Sequence, residues 1–131
     1  MNMRPEDYSP LNLAYLGDAV FELMVRKTLV TDSLESVRSL FRKSKSYVCA
    51  SAQSQSYFRI FETLTPEEQQ IARRGRNSKP SSKAKSASVA EYQHATGLEA
   101  LFGYLYLSGD TERLKEIFAL CVPDEESSNE K

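Results

Sequence analysis

The chain has 131 residues, 40% of them hydrophobic and 27% charged, and carries a formal net charge of -1. That length admits one domain with a sizeable core and hardly two, and the composition is that of a globular protein rather than a disordered or fibrous one. A near-neutral total names no partner by itself. Cys49 and Cys121 show neither a CxxC nor a secreted-scaffold spacing, which fits free thiols in a reducing compartment. "MNMRPED" lacks the layout of a signal peptide, and Asp18 and Glu22 interrupt the longest apolar stretch, so no membrane span is expected. These features predict a cytoplasmic protein.

The hydrophobic periodicity is helical nearly throughout, with no convincing period-2 strand. Ser9-Pro10 supplies a cap and a proline at the first helical position, which predicts a helix to about Val30. Asp32, with Glu35 three residues on, reads as a capping box for a short helix through Lys43. A third helix is expected over Tyr47 to Leu64. "TPEE" opens a fourth, with Thr65 as cap, Pro66 next and Glu68 at the third position, and "GRN" closes it. A Ser/Lys/Pro loop then runs to Ser86. Ser88 and Glu91 form another capping box before "VAEYQHATGLEALFGYLYLSG", and Gly109-Asp110 precedes a last helix to about Cys121. The expectation is an all-α, single-domain bundle of about six helices over 1–122, with an acidic, disordered tail over 123–131.

Charge is unevenly placed. From Arg73 to Lys85, "RRGRNSKPSSKAK" holds six basic residues and no acidic one, and the loop it belongs to is expected over about 73–87. Arg38, Arg42 and Lys45 make a second, weaker basic stripe at helical spacing. A charge run is usually a solvated surface. Beside a phosphodiester site it becomes a candidate for contact with phosphates, through Arg73, Arg74, Arg76, Lys79, Lys83 and Lys85.

Two acids stand out. Asp18 follows Gly17 inside "LNLAYLGDAVFELMVR", and Glu99 lies in "ATGLEALFGYLYL" with Gly97 and Gly103 around it. A lone buried carboxylate is costly unless paired, protonated or bound to a metal, and a glycine within a helix costs about another 1 kcal/mol. Small residues near both acids allow two helices to pack closely and leave space at the carboxylates. Two converging carboxylates raise each other's pKa, and a hard divalent cation such as Mg²⁺ removes that conflict. A salt bridge to an arginine, or a place at a solvated helix edge, explains a single such acid equally simply. Glu22 and Arg26 are spaced for an intrahelical ion pair, and His94 is given no chemistry.

"LAYLGDAVFE" resembles the signature stretch of the ribonuclease III catalytic domain, and "ATGLEALFGYLYL" resembles that domain's second acidic helix. With "RRGRN" between them, the likeness runs from about Pro10 to Leu120. It is most similar to the Mini-ribonuclease III subclass, which has no double-stranded-RNA-binding domain. The resemblance implies Asp18 as the essential catalytic acid, Glu99 as its metal-binding partner and Mg²⁺ as cofactor. Two further acids of the larger enzymes correspond here to Ala14 and Thr96, as in the mini subclass. Tyr15 falls where the family places an aromatic plug at the dimer interface.

The resemblance therefore implies a homodimeric, Mg²⁺-dependent endoribonuclease cutting double-stranded RNA to leave a 5′ phosphate and a 3′ hydroxyl. Its expected substrate is the paired stem of the large-subunit ribosomal RNA precursor; no membrane or nucleotide cofactor is expected. Two rivals differ in class. One is a catalytically idle duplex-RNA-binding protein, and the other a helical dimerisation adaptor whose acids are structural pairs. Incubation with a duplex RNA, with and without Mg²⁺, is the cheapest discriminator of the enzyme from its rivals.

Overall fold

A computed structural model describes residues 3–32, 34–78 and 88–121. After a 3-10 turn at Pro5–Asp7, the described chain forms six helices: α1 Pro10–Asp32, α2 Val37–Val48, α3 Ala50–Phe61, α4 Pro66–Arg76, α5 Val89–Leu107 and α6 Thr111–Cys121. No strand occurs among the described residues. The all-α, six-helix expectation holds.

The caps explain most boundaries. Ser9 Oγ accepts from the Asn12 amide to open α1. Thr65 and Glu68 form the expected capping box of α4, and Ser88 and Glu91 that of α5. The start of α2 is a correction. Asp32 is still helical, as the last residue of α1, and Ser36 caps α2 by accepting from the Ser39 amide. Glu35 instead pairs with Lys43 and accepts from the Ser39 hydroxyl. α2 runs on to Val48, and α3 is shorter than expected. Cys49, with extended backbone (φ −70°, ψ 157°), is the single residue that ends one helix and starts the next. No glycine or proline marks that break, so the sequence carries no signal for it.

α5 is the centre of the bundle, packed on one side by α1 and on others by α3 and α4. From Ala95 to Leu105 it is buried or half-buried, and its buried residues include Leu98, Leu101, Phe102 and Leu105. Phe21 of α1 meets Phe102 edge-on at 5.1 Å and Phe118 of α6 at 5.7 Å, a geometry favoured by the ring quadrupoles. Gly109 (φ +74°) makes the left-handed turn between α5 and α6.

One ion pair ties the caps to the bundle. Arg113 of α6 reaches both carboxylate oxygens of Glu68, at 2.8 and 2.9 Å, and donates to the Thr63 carbonyl at 3.0 Å. Burial pushes the Glu68 carboxyl upward, but the hydrogen bonds from Arg113 and the Thr65 cap outweigh it and hold it below the usual range. The same carboxylate thus caps α4 and anchors α6.

Candidate active site

Helices approach this closely only where side chains are missing. A Cβ on Gly17 would stand 1.7 Å from the carbonyl oxygen of Glu99, and one on Gly103 would stand 2.1 Å from that of Leu13. α1 and α5 therefore cross backbone against backbone at these two glycines. A second crossing joins α4 to α5, where a Cβ on Gly97 would lie 2.6 Å from the Ala72 carbonyl oxygen. The crossings are occupied by backbone; they do not open space. Ala14 and Thr96 are likewise buried, and the Thr96 hydroxyl donates to the Tyr92 carbonyl at 3.0 Å. The expected close packing of the helices at the small residues is what these distances show.

The first crossing sets the chemistry. Asp18 follows Gly17 directly, and Glu99 supplies the carbonyl against which Gly17 packs, so the two acids meet across the helix pair. Asp18 itself is exposed, and the cost of desolvation falls on half-buried Glu99. Burial first, then the charge of Asp18 and hydrogen bonding with it, push the Glu99 carboxyl up to about 8. At neutral pH and without a cation, Glu99 keeps its proton. A dication there would replace that proton and relieve both carboxylates, which is the donor chemistry Mg²⁺ uses. No third His, Cys, Asp or Glu joins them among the described residues. Water or phosphate oxygens must complete any shell.

A third helix reaches the same point. Gln53 of α3 lies near Glu99 and opposes its upward shift, although its Nε2 has no hydrogen-bond partner. Gln53 is not among the residues that the sequence motifs single out. Its signal was available: Gln53, Tyr57 and Ile60 recur at helical spacing and all are buried.

Other assigned residues separate. Glu22 and Arg26 form the expected ion pair at 2.6 Å. His94 Nδ1 donates to the Ala90 carbonyl at 2.7 Å, and its ring packs against Tyr57 and Phe58. Arg73, Arg74 and Arg76 belong to the last turns of α4, which shortens the basic loop expected over 73–87. The capping box at Thr65 carries that helix through them. Arg73 lies over the Phe61 ring, 5.6 Å from its centre, whereas Arg74 donates to the Glu6 carbonyl at 3.1 Å. Lys79, Lys83 and Lys85 lie outside the described residues, as does the expected tail over 123–131. Tyr15 points away from the bundle with 85% of its surface exposed.

The chain matches the ribonuclease III domain over residues 11–110. Mini-ribonuclease 3 of Thermoanaerobacter sp. is 47% identical to it over 114 residues, 87% of this chain and 80% of that protein. Mini-ribonuclease 3 of Enterococcus faecalis is 41% identical over 130 residues, 95% of this chain and 98% of that one. The chain belongs to the Mini-ribonuclease 3 family. A crystal structure from Fusobacterium nucleatum shares the fold, with a TM-score of 0.80 and 38% identity over 87% of this chain and 91% of that one. As a Mini-ribonuclease 3 of the ribonuclease III type, the chain is an endoribonuclease. No helix among its described residues is long and apolar enough to cross a membrane.

Proposed function

We propose that this protein is a Mg²⁺-dependent homodimer that cleaves double-stranded RNA in the cytoplasm, and that it matures the ends of the large-subunit ribosomal RNA precursor. The meeting of Asp18 and Glu99 at the Gly17–Gly103 crossing carries this reading. Asp18 and Glu99 would together hold the cation, for which Glu99 would have to give up its proton. A bound Mg²⁺ supplies Lewis-acid charge at the scissile phosphodiester. Exposed Asp18 would be the ligand open to the substrate side, and half-buried Glu99, held by the Gly17 crossing, would be the fixed one. Arg73, Arg74, Arg76, Lys79, Lys83 and Lys85 are the proposed phosphate contacts. Such a surface reads duplex shape more than sequence, which suits a long stem presented in a fixed setting.

The test is cleavage of a duplex RNA, with and without Mg²⁺, by the wild type and by Asp18→Asn. The variant keeps the shape and removes the anionic ligand, so cleavage should vanish while helicity and self-association persist. Cleavage by Asp18→Asn at the wild-type rate would remove Asp18 from the mechanism. For the substrate, both termini of large-subunit ribosomal RNA are mapped in cells lacking the protein. Unprocessed ends are expected, with small-subunit processing normal; mature ends at normal abundance would reject this substrate.

A further inference from the structure

Gln53 occupies a position that packing alone gives to a leucine or methionine. It is 2% exposed, on the stripe of α3 that also buries Tyr57 and Ile60. Either apolar residue would fill that volume without placing an amide there. Yet Nε2 is fully enclosed and has no partner among the described residues. A buried donor left unmet is among the costlier defects a core can hold, and native cores rarely keep one without a use for it. The neighbouring acceptor is the carboxyl of Glu99. Three helices thus converge: α1 brings Asp18, α5 brings Glu99, and α3 brings an amide beside Glu99 whose Nε2 makes no hydrogen bond among the described residues.

We infer that Gln53 positions Glu99 for the cation, its Nε2 donating to one carboxylate oxygen and leaving the other for the metal. The inference rests on the metal site proposed above. Carboxylates that bind metals are commonly held by a neighbouring donor, which fixes their orientation and raises affinity. In a site with two protein carboxylates and no third acid, that orientation matters more than in a crowded one. Gln53 is therefore a positioning residue; Asp18 and Glu99 remain the ligands.

The experiment is a Mn²⁺ titration of metal-free protein, following the free-ion electron paramagnetic resonance signal, for the wild type, Asp18→Asn, Gln53→Leu and Gln53→Met. Both Gln53 variants should bind Mn²⁺ about tenfold or more weakly, within the range seen when such supporting donors are lost. Their metal-free melting temperature should equal or exceed that of the wild type, since the unmet donor is gone. Duplex cleavage by either should recover as Mn²⁺ is raised, whereas cleavage by Asp18→Asn should not. If Gln53→Leu does not fold, Gln53→Met, which keeps the unbranched shape, carries the measurement. Wild-type Mn²⁺ affinity in the folded Gln53 variants, with affinity lost in Asp18→Asn, overturns the role of Gln53 alone. Unchanged affinity in Asp18→Asn overturns the metal site and this inference with it.

Discussion

Gly17 touches the backbone of Glu99 so closely that a single methyl group on it would lie 1.7 Å from the Glu99 carbonyl oxygen. The obstacle is backbone, which cannot swing aside as a side-chain tip can. Relief requires α1 and α5 to separate along the most extensive helix contact among the described residues. Gly17→Ala should therefore destabilise the fold at or beyond the upper end of the ~1–3 kcal/mol typical of overpacking, despite alanine's better helix propensity. Urea denaturation measures this. A variant as stable as the wild type would mean that the crossing is not as tight as described.

That contact shows what the sequence could and could not convey. Gly17 beside Asp18 and Gly103 near Glu99 were legible as a close helix approach, because glycine within a helix needs a reason. Thr65-Glu68 and Ser88-Glu91 were legible because a capping box is a local motif. The break at Cys49 was not, since an extended residue between two helices needs no special side chain. Nor was the Arg113–Glu68 pair, which joins positions 45 residues apart through tertiary packing. Asp18 and Glu99 look alike in the sequence, each an acid in an apolar run, whereas the cost of burial falls on Glu99; periodicity places residues on a face but does not say how deep their tips lie. Gln53 was legible in principle, as a polar residue on an apolar stripe.

Stability of the metal-free protein should depend on Glu99 in a defined direction. Its folded-state pKa lies at about 8, above the ordinary value of 4.5. A group with a raised pKa contributes its stability in full below the unfolded value and loses it as pH rises through the folded one. From this carboxyl, stability should fall between pH 4.5 and about 8, with a slope of at most about 1.4 kcal/mol per pH unit, and level off above. Glu99→Gln should flatten the decline, and Mg²⁺ should reverse it at the alkaline end. Chemical denaturation across this range, with and without Mg²⁺, is the check. An identical slope in Glu99→Gln would assign the dependence elsewhere.

The three arginines of α4 should not be equivalent toward RNA. Arg74 is half-buried and tied to the Glu6 carbonyl, while Arg73 is exposed and lies over the Phe61 ring. Freeing Arg74 for a phosphate costs it a hydrogen bond, whereas the Arg73 side chain makes none among the described residues. Replacing Arg73 by Gln should reduce the logarithmic salt slope of duplex binding by roughly 0.7–0.9, the value of one lost phosphate contact. The same change at Arg74 should alter the slope less and destabilise the N-terminal turn instead. Binding measured over a range of KCl concentrations distinguishes them. Equal slopes for both variants and the wild type would mean that this turn is only solvated surface.

Tyr15, in the second turn of α1, is 85% exposed on a helix whose other face is core. It is not alone there. Leu11 precedes it by four residues, and Leu23 follows it by eight; they are 39% and 69% exposed. Spaced in multiples of four, these side chains make an apolar stripe along α1 that points away from the bundle. Single exposed apolar residues need no explanation, but a stripe with an aromatic at its centre suits a second copy of the chain. The neighbouring Asp18 lies on the same helix, so self-association through this face would set the active site beside the seam. Tyr15→Ala should weaken the dimer by about 2 kcal/mol or more, as truncating an aromatic anchor commonly does. Leu23→Ala, nearer the edge of the stripe, should cost less. Neither change removes a buried contact, so the melting curve of the separated subunit should stay in place. Sedimentation velocity over a dilution series measures both constants. A wild-type protein that remains monomeric at micromolar concentration would remove the dimer, and an unchanged constant in Tyr15→Ala would move the seam off this face.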